Sequence, residues 1–533
     1  MTASLDPVLV VGAGPVGLTV ANLLAARGVR VVLVERNDST SDEAKAISLD
    51  DESLRTLDAA GLADDVLDIV VPGTGTRYYD RKGRPLLHAR GSEPYRLGFP
   101  FKNQFAQPEL ESVLLDALKS RPEVDIRFSA ELVALHENPS GTEVTAELHA
   151  AGHEPGTASS EPLRVSWVLG CDGGRSTVRE LCGIDMSGTR HQDVWLVVET
   201  VGDHHDERYG MHHGTPERPT VIVPGRGGRC RYEFLLHPGE GRKGVRPDFA
   251  TIRRLVAPYR HLREDQIERC TSYTFNAVVA DRWRSGRALL LGDAAHMMPP
   301  FAGQGLNSGV RDAANLAWKV AEMWHGRATE QLLDTYEAER RPHAEATVRF
   351  SERLGDVVMT TDPRRALVRD VAVRAMLRVP AGRRYLTEMR FRPRARHQAG
   401  LVMGSHPLTG TPLPRPLVLM PPSLRPVPLD EVLGDGLVLL GVDVPAAAWR
   451  RFDNPPWPGG RDRIRLIDVV LGDRLPADAR PRMAFADADG RLEQVLGTAR
   501  NRFVLVKPDR YVAAVMGPDD IRPLAARLSR LLR

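Results

Sequence analysis

Cysteine is scarce in this 533-residue chain: Cys171, Cys182, Cys230 and Cys270 are its only four, too few and too widely spaced for a disulfide framework or a zinc knuckle. No metal centre is expected, and a reducing cytoplasm is the expected setting. Charge of one sign is lacking as well, since 72 Lys and Arg face 69 Asp and Glu for a formal net charge of +3. The arginines never gather into a run with interleaved aromatics, which argues against a nucleic-acid partner. No apolar stretch approaches the roughly 20 residues that span a bilayer. The N-terminus reaches Val8-Leu9-Val10-Val11 without a basic region and an apolar signal core, so neither export nor membrane insertion is expected. What remains is a composition of 42% hydrophobic and 26% charged residues, over a length that suits two to four globular domains.

The opening segment predicts a β-α-β unit: a buried strand from Val8 to Val11, a glycine turn, a helix to about Arg27 with Gly28 at its C-cap, and a strand from Val29 to Val34. Patterns near Trp167-Leu169, Trp195-Val198, Thr220-Val223 and Arg231-Leu236 predict a mostly antiparallel middle region, interrupted by a return to the first domain. After Asn307, apolar residues recur at helical spacing from Val310 through Ala317 to Trp324, and Gly326 ends the run. Residues 406–428 are rich in proline and read as a linker or wrapped connection. Strands at Leu437-Val442, Ile464-Val470 and Phe503-Val506, a hairpin signal at Pro508-Asp509 and an amphipathic helix from Asp519 then predict a small α/β module.

Three motifs carry chemistry. Gly12-Ala13-Gly14-Pro15-Val16-Gly17 lies between strand and helix, so backbone N–H groups and the helix dipole can face a pyrophosphate. Glu35, ending the second strand, can accept from both ribose hydroxyls of an adenosine and would repel a 2′-phosphate. FAD and NAD both stay open at this point. Cys171-Asp172-Gly173-Gly174-Arg175-Ser176 follows a strand and precedes a helix; alone it could be a turn capped by Asp or Ser. Ala288-Leu289-Leu290-Leu291 leads into Gly292-Asp293, then Pro299-Pro300 and Gly303-Gln304-Gly305-Leu306-Asn307 before the long helix. An Asp at a strand end can hold a polyol, and a helix N-terminus places positive potential beside a flat ring.

Together these residues resemble the para-hydroxybenzoate-hydroxylase type of FAD-dependent aromatic monooxygenase, which carries the same three motifs in the same order. The 3-(3-hydroxyphenyl)propionate hydroxylases look most similar, on Ala46-Ile47 with Asp50-Asp51-Glu52, Gln107-Pro108, Cys171-Asp172-Gly173-Gly174, Gly303-Gln304-Gly305 and Tyr336-Glu337-Ala338-Glu339-Arg340-Arg341. The resemblance implies an α/β fold: a Rossmann-like FAD-binding domain over residues 1–405, interleaved with a mostly antiparallel β-sheet substrate domain at about 75–105 and 185–280, and a thioredoxin-like C-terminal domain at 429–533. It implies FAD as cofactor, NADH or NADPH as a transient co-substrate, O2, and hydroxylation of a small phenolic substrate through a C4a-hydroperoxyflavin. Carried over by position, Val11, Gly12, Gly14, Pro15, Val16 and Gly17 approach the pyrophosphate, and Glu35 and Arg36 take the adenosine end. Gln107 supports the cofactor chain, Gly292 and Asp293 hold the ribitol, and Pro300, Gly303, Gln304, Gly305, Leu306 and Asn307 line the isoalloxazine. Asp172 serves both FAD and the reductant. Lys45 stands where relatives commonly have an arginine beside the mobile flavin, and a lysine cannot form the same planar fork.

Gly225-Arg226-Gly227-Gly228 lacks a following helix, so the reductant is expected to dock without a domain of its own. Tyr232, His213 and Pro300 are the candidates for acting on the substrate, with His212 a further one; Tyr232 is read as inward, with Arg231 and Glu233 outward. His296 is read as structural and Trp195 as core packing. The C-terminal module contains no cysteine, which excludes thiol redox chemistry there and leaves a structural role, with a homodimer contact one arrangement for it. Rival readings are a polyketide hydroxylase, an epoxidase or a Baeyer–Villiger enzyme on the same cofactor frame, a reductase that never uses oxygen, and a non-catalytic flavoprotein.

Overall fold

The computed structural model describes residues 6–41, 45–138, 140–150, 161–421, 423–452, 457, 463–472 and 483–533. The continuous apolar runs at Val8–Val11 and Val31–Val34 are buried along their whole length, as strands covered on both faces must be. They pair in parallel, and the six-stranded sheet extends from them through Trp167–Gly170, Ala288–Leu290 and Arg284–Ser285 on one side and Val124–Arg127 on the other. Trp167–Gly170, whose pattern was grouped with the antiparallel middle region, lies in this first sheet beside Val8–Val11; its four buried residues are those of a central parallel strand. Helix Pro15–Ala25 starts on Pro15, which lacks the N–H that a first turn leaves unpaired, and packs on the long helix Gly305–Trp324.

A second, eight-stranded sheet is built from Thr76–Tyr79 and Pro85–Ala89 together with strands between Met186 and Met297. Its pairs are antiparallel apart from Gly210–His213 on Thr76–Tyr79. Helix Phe249–Val256 covers one face with Ile252, Leu255 and Val256, against Leu196, Tyr232 and Phe234. The other face turns towards the first sheet's loops.

The C-terminal module is a seven-stranded mixed sheet. The proline-rich stretch is more than a connection: Leu417–Met420 and Arg425–Pro428 form an antiparallel pair that extends this sheet. Pro426 and Pro428 sit on its outermost strand, where a missing N–H costs no ladder bond and blocks further pairing. The module is fastened to the rest by buried charge. Arg55 grips Asp430 with two bonds of 2.7 and 2.6 Å, and Lys507 and Asp509 reach Glu339 and Asn315, each at 2.7 Å.

Candidate active site

The glycine turn is held by the neighbouring strand, Gly12 N–H donating to the Val34 carbonyl at 2.8 Å. At Gly17 a Cβ would stand 1.9 Å from the Gly12 carbonyl oxygen, so only glycine lets the helix start this close to the strand. At Gly14 a Cβ would meet nothing within 4 Å, which leaves open space in front of the helix N-terminus. Glu35 accepts from the Ala13 N–H at 2.9 Å and from the Asn37 backbone and side chain at 3.0 and 2.6 Å. Its carboxylate therefore closes the turn, a duty that the strand-end pattern did not reveal. Arg36 is exposed beside it.

The second and third motifs meet. Arg179 donates to the Ala294 carbonyl at 3.2 Å and to Gly174 at 3.0 Å. Asp172 accepts from the Val178 N–H at 3.0 Å while its Oδ1 has no partner, and Ser176 caps the short helix after it. Burial raises the Asp172 carboxyl above the usual range. Val16 lies against Gly292, a Cβ on which would stand 3.1 Å from it, so the first motif touches the third. Gly292 N–H and His296 both bond Asp312 of the long helix, at 3.2 and 2.7 Å, and Arg340 completes that buried carboxylate at 2.9 Å. Between these anchors the Asp293 side chain opens outward and accepts no hydrogen bond from the described residues.

Gly303 has φ 61°, the left-handed conformation that turns Pro300–Ala302 into the helix beginning at Gly305. Asn307 locks this corner. Its Nδ2 donates to Ser48 and Gly303 carbonyls at 2.9 and 2.7 Å, and its Oδ1 accepts from Asp50 N–H and Ser53 Oγ at 2.9 and 2.7 Å. Gln304 bonds Asp50 at 3.4 Å, and Leu306 is half-buried against the first core. Gln107 accepts from the Lys45 and Ala46 N–H groups at 3.1 and 2.8 Å, so its amide supports the Lys45 segment directly. Arg231 donates to the Lys45 carbonyl at 3.0 Å from the second sheet.

These residues fit a dinucleotide with a polyol arm and a flat ring. The turn at Gly14 leaves open space, the Asp293 carboxylate is exposed and accepts from no described residue, and the 305–324 helix begins without a side-chain cap on its first N–H groups.

On the second sheet, Tyr78, His212, Val221, Glu233, Val197 and Thr271 form one cross-strand row. Neighbouring rows on this face bring Trp195 and Phe275 against Phe301, the residue after Pro300, at ring distances of 5.3 Å each. Trp195 is core packing, as expected, and it carries the loop after Pro300 on its ring. The expectation that Arg231 and Glu233 face outward is overturned: both are buried, at 2% and 5% exposure, on the face turned to Lys45. Tyr232 accordingly points to the opposite face, where its hydroxyl donates to Asp203 at 2.5 Å and pairs with His205 at 2.9 Å. Burial there pushes the Tyr232 phenol far up, with Cys230 and Asp203 adding to it. Burial would also raise Asp203, yet bonds from His205 and Tyr232 hold it well below the usual carboxylate range. His213 shares that opposite face, stacked on Tyr79 at 4.3 Å, and burial lowers it to about 4. The row that faces the flavin loop carries His212, not His213.

A cavity of about 140 Å³ opens beside the Lys45 segment, lined by Ile47, Pro108, Glu199, Val223, Arg231 and Arg269. Sequence reasoning missed Asp203 and His205 as the partners of Tyr232, and it missed the packing of Phe275 on Phe301.

Residues 6–351 match the family model described as FAD binding domain, and residues 410–531 match the HcaD C-terminal domain. The chain is similar to the 3-(3-hydroxy-phenyl)propionate/3-hydroxycinnamic acid hydroxylase of Mycobacterium avium (strain 104), 39% identical over 81% of this chain and 76% of that protein. The enzyme of the same name from Mycolicibacterium gilvum (strain PYR-GCK) is 37% identical over 96% of this chain and 90% of its own. Among solved structures, aklavinone-11 hydroxylase in a ternary complex with FAD and aklavinone superimposes with a TM-score of 0.76 at 25% identity, covering 99% of both chains. With its flavin domain matched over most of its length and relatives of this similarity, the chain belongs to the family of FAD-dependent aromatic monooxygenases of the para-hydroxybenzoate-hydroxylase type.

Proposed function

We propose that the chain hydroxylates the ring of a phenolic aryl carboxylic acid of the 3-(3-hydroxyphenyl)propionate type, with FAD resident, NADH or NADPH as reductant and O2 as the oxygen source. The observation that carries this reading is the aromatic wall of Trp195, Phe275 and Phe301, which joins the flavin loop to the buried row of the second sheet. FAD supplies reduction by the nicotinamide and activation of oxygen. The protein's share is to bind, orient and exclude water. Asp293 accepts from the ribitol hydroxyls, the N–H groups at the start of the 305–324 helix stabilise negative charge on the reduced ring, and the aromatic wall keeps water from the reacting centre. Arg231 holds the Lys45 segment over the cavity beside it.

We read the first sheet as Rossmann-like, supported by its parallel strands and glycine turn, and the C-terminal module as thioredoxin-like. In the latter, Ile464–Val470, Leu437–Val442, Arg502–Val506 and Val512–Met516 are neighbours in that order, the first pair parallel and the others antiparallel, before a closing helix. With no cysteine in it, its role is structural. The few scattered cysteines support a cytoplasmic setting, and among the described residues no helix is long and apolar enough to cross a membrane.

A second reading, hydroxylation of a larger polycyclic substrate, is favoured by the full-length superposition on aklavinone-11 hydroxylase. NAD(P)H oxidation, oxygen uptake and peroxide followed together across simple phenols and an anthracycline aglycone separate the two. Acceleration by 3-(3-hydroxyphenyl)propionate with little peroxide supports the first; acceleration only by the polycycle overturns it. Asp293→Ala is expected to weaken FAD retention at least ten-fold, and full flavin occupancy in that variant would refute the ribitol assignment.

A further inference from the structure

Two cations at one end of the aromatic wall have no acid of their own. Lys102 sits at φ 58°, a left-handed conformation that a lysine adopts at some cost, and its charge acts on the buried His212 ring. Arg392 comes from a segment far along the chain. It donates to the Ala302 carbonyl of the flavin loop at 3.3 Å and lies 5.0 Å from the centre of the Phe101 ring. Among the described residues neither cation has a carboxylate within ion-pair distance. The acid that acts most on Arg392, Asp50, is already bonded by Arg311, Ser53 and Gln304. His212 is 6% exposed, and its Nδ1 has no partner. Two half-buried cations without a carboxylate partner and one buried imidazole thus lie at the end of the core formed by Tyr78, Phe101 and Phe301, where Arg392 stands over Phe101. A partly desolvated cation with no acid partner is under-compensated, and a ligand carboxylate would supply the missing charge.

We propose that Lys102 and Arg392, with His212 as a third donor, form the carboxylate subsite of the pocket and set how far the substrate ring reaches towards the flavin loop. The inference rests on the aryl-acid reading above and names the groups that would recognise the acid. Arg392 offers the planar fork suited to a carboxylate and Lys102 a compact point charge.

The ammonium of Lys102 is lowered to about 7 by burial and by Arg392. Protonated Lys102 binds the acid and the neutral form does not, so affinity for an aryl carboxylate is expected to fall as pH rises through 7. The groups facing this end are Arg392, His212, kept neutral by burial, Tyr78, pushed up to about 12 by burial, and Asp50 and Asp51. Asp51 is itself raised to about 7 by burial and its acidic neighbours, and it would act in the same direction. Lys102→Arg separates the two, because an arginine stays charged across the range.

The experiment is a binding titration of the FAD-loaded enzyme, read by perturbation of the flavin spectrum, with 3-phenylpropionate, which needs no phenol chemistry, and with its uncharged counterpart propylbenzene. Wild type should prefer the acid. Lys102→Met and Arg392→Met should each weaken the acid about 10- to 100-fold while moving propylbenzene by less than about three-fold. Lys102→Arg should restore most of the affinity and make its fall above pH 7 clearly shallower, leaving only the part that belongs to Asp51. Equal binding of acid and hydrocarbon by wild type, an unchanged ratio in both Met variants, or a pH limb as steep in Lys102→Arg as in wild type would each overturn the assignment. If the acid binds as expected but no phenolic acid is hydroxylated, the subsite stands and the proposed reaction falls.

Discussion

The two faces of the eight-stranded sheet are built from adjacent residues of the same strands and have opposite characters. Tyr232 and Phe234 pack under helix Phe249–Val256, and the polar groups on that face satisfy one another through Asp203, His205 and Arg260. Arg231 and Glu233, one residue away in each direction, face the Lys45 segment, and Arg231 spends one donor on a backbone carbonyl of that segment. One face is closed on itself; the other keeps donors and aromatic walls directed at the flavin loop. A chemically attractive side chain therefore carries little meaning until its face is known, because a shift of one residue exchanges the two sets.

The comparison can be broken by substitution, and the largest effect belongs to the flavin-facing side. Arg231→Met leaves Glu233 and Glu199 without their buried partner and releases the Lys45 carbonyl; a loss of about 3–5 kcal/mol in unfolding free energy is expected, together with more peroxide per NAD(P)H oxidised. Denaturant unfolding and the peroxide yield check it, and wild-type values in both would mean that the faces are not different. Tyr232→Phe, on the closed face, should cost only about 1–2 kcal/mol through the lost bond to Asp203, with kcat and KM for the substrate unchanged. A hundred-fold fall in kcat would restore Tyr232 as a catalytic candidate. The smallest effect at neutral pH is that of His213→Gln. Burial keeps His213 neutral down to about 4 in the fold, whereas an unfolded histidine takes its proton near 6.5. Its neutral burial therefore adds no penalty above 6.5, and stability is lost as pH falls from 6.5 to 4, by about 1.4 kcal/mol per pH unit at most. The variant should show a correspondingly shallower acid limb in unfolding titrations, with activity near wild type.

Much of the flavin frame was legible in the sequence because backbone geometry dictates it. A strand, a turn in which Gly17 admits no Cβ, and a helix opening on Pro15 leave few alternatives, and Gly303 with φ 61° marks the second turn in the same way. The second sheet was legible as strands but not as faces. Its strands are covered on both sides, so alternation at Arg231-Tyr232-Glu233 separated the two sets without telling which faces the flavin loop. The proline content of 406–428 concealed two strands because an edge tolerates prolines that a central strand does not. Lys102 and Arg392 left no sequence signal, since each is an ordinary basic residue until the fold brings Arg392 from far along the chain over the ring of Phe101, the residue before Lys102.

The most direct test of the central claim is the source of the oxygen in the product. With oxygen-18 gas, NAD(P)H and 3-(3-hydroxyphenyl)propionate, mass spectrometry should find one labelled atom in a dihydroxylated acid, in near-stoichiometric yield with the reductant consumed. Reductant consumed with the label recovered only in peroxide, or a product whose new oxygen comes from water, would contradict it.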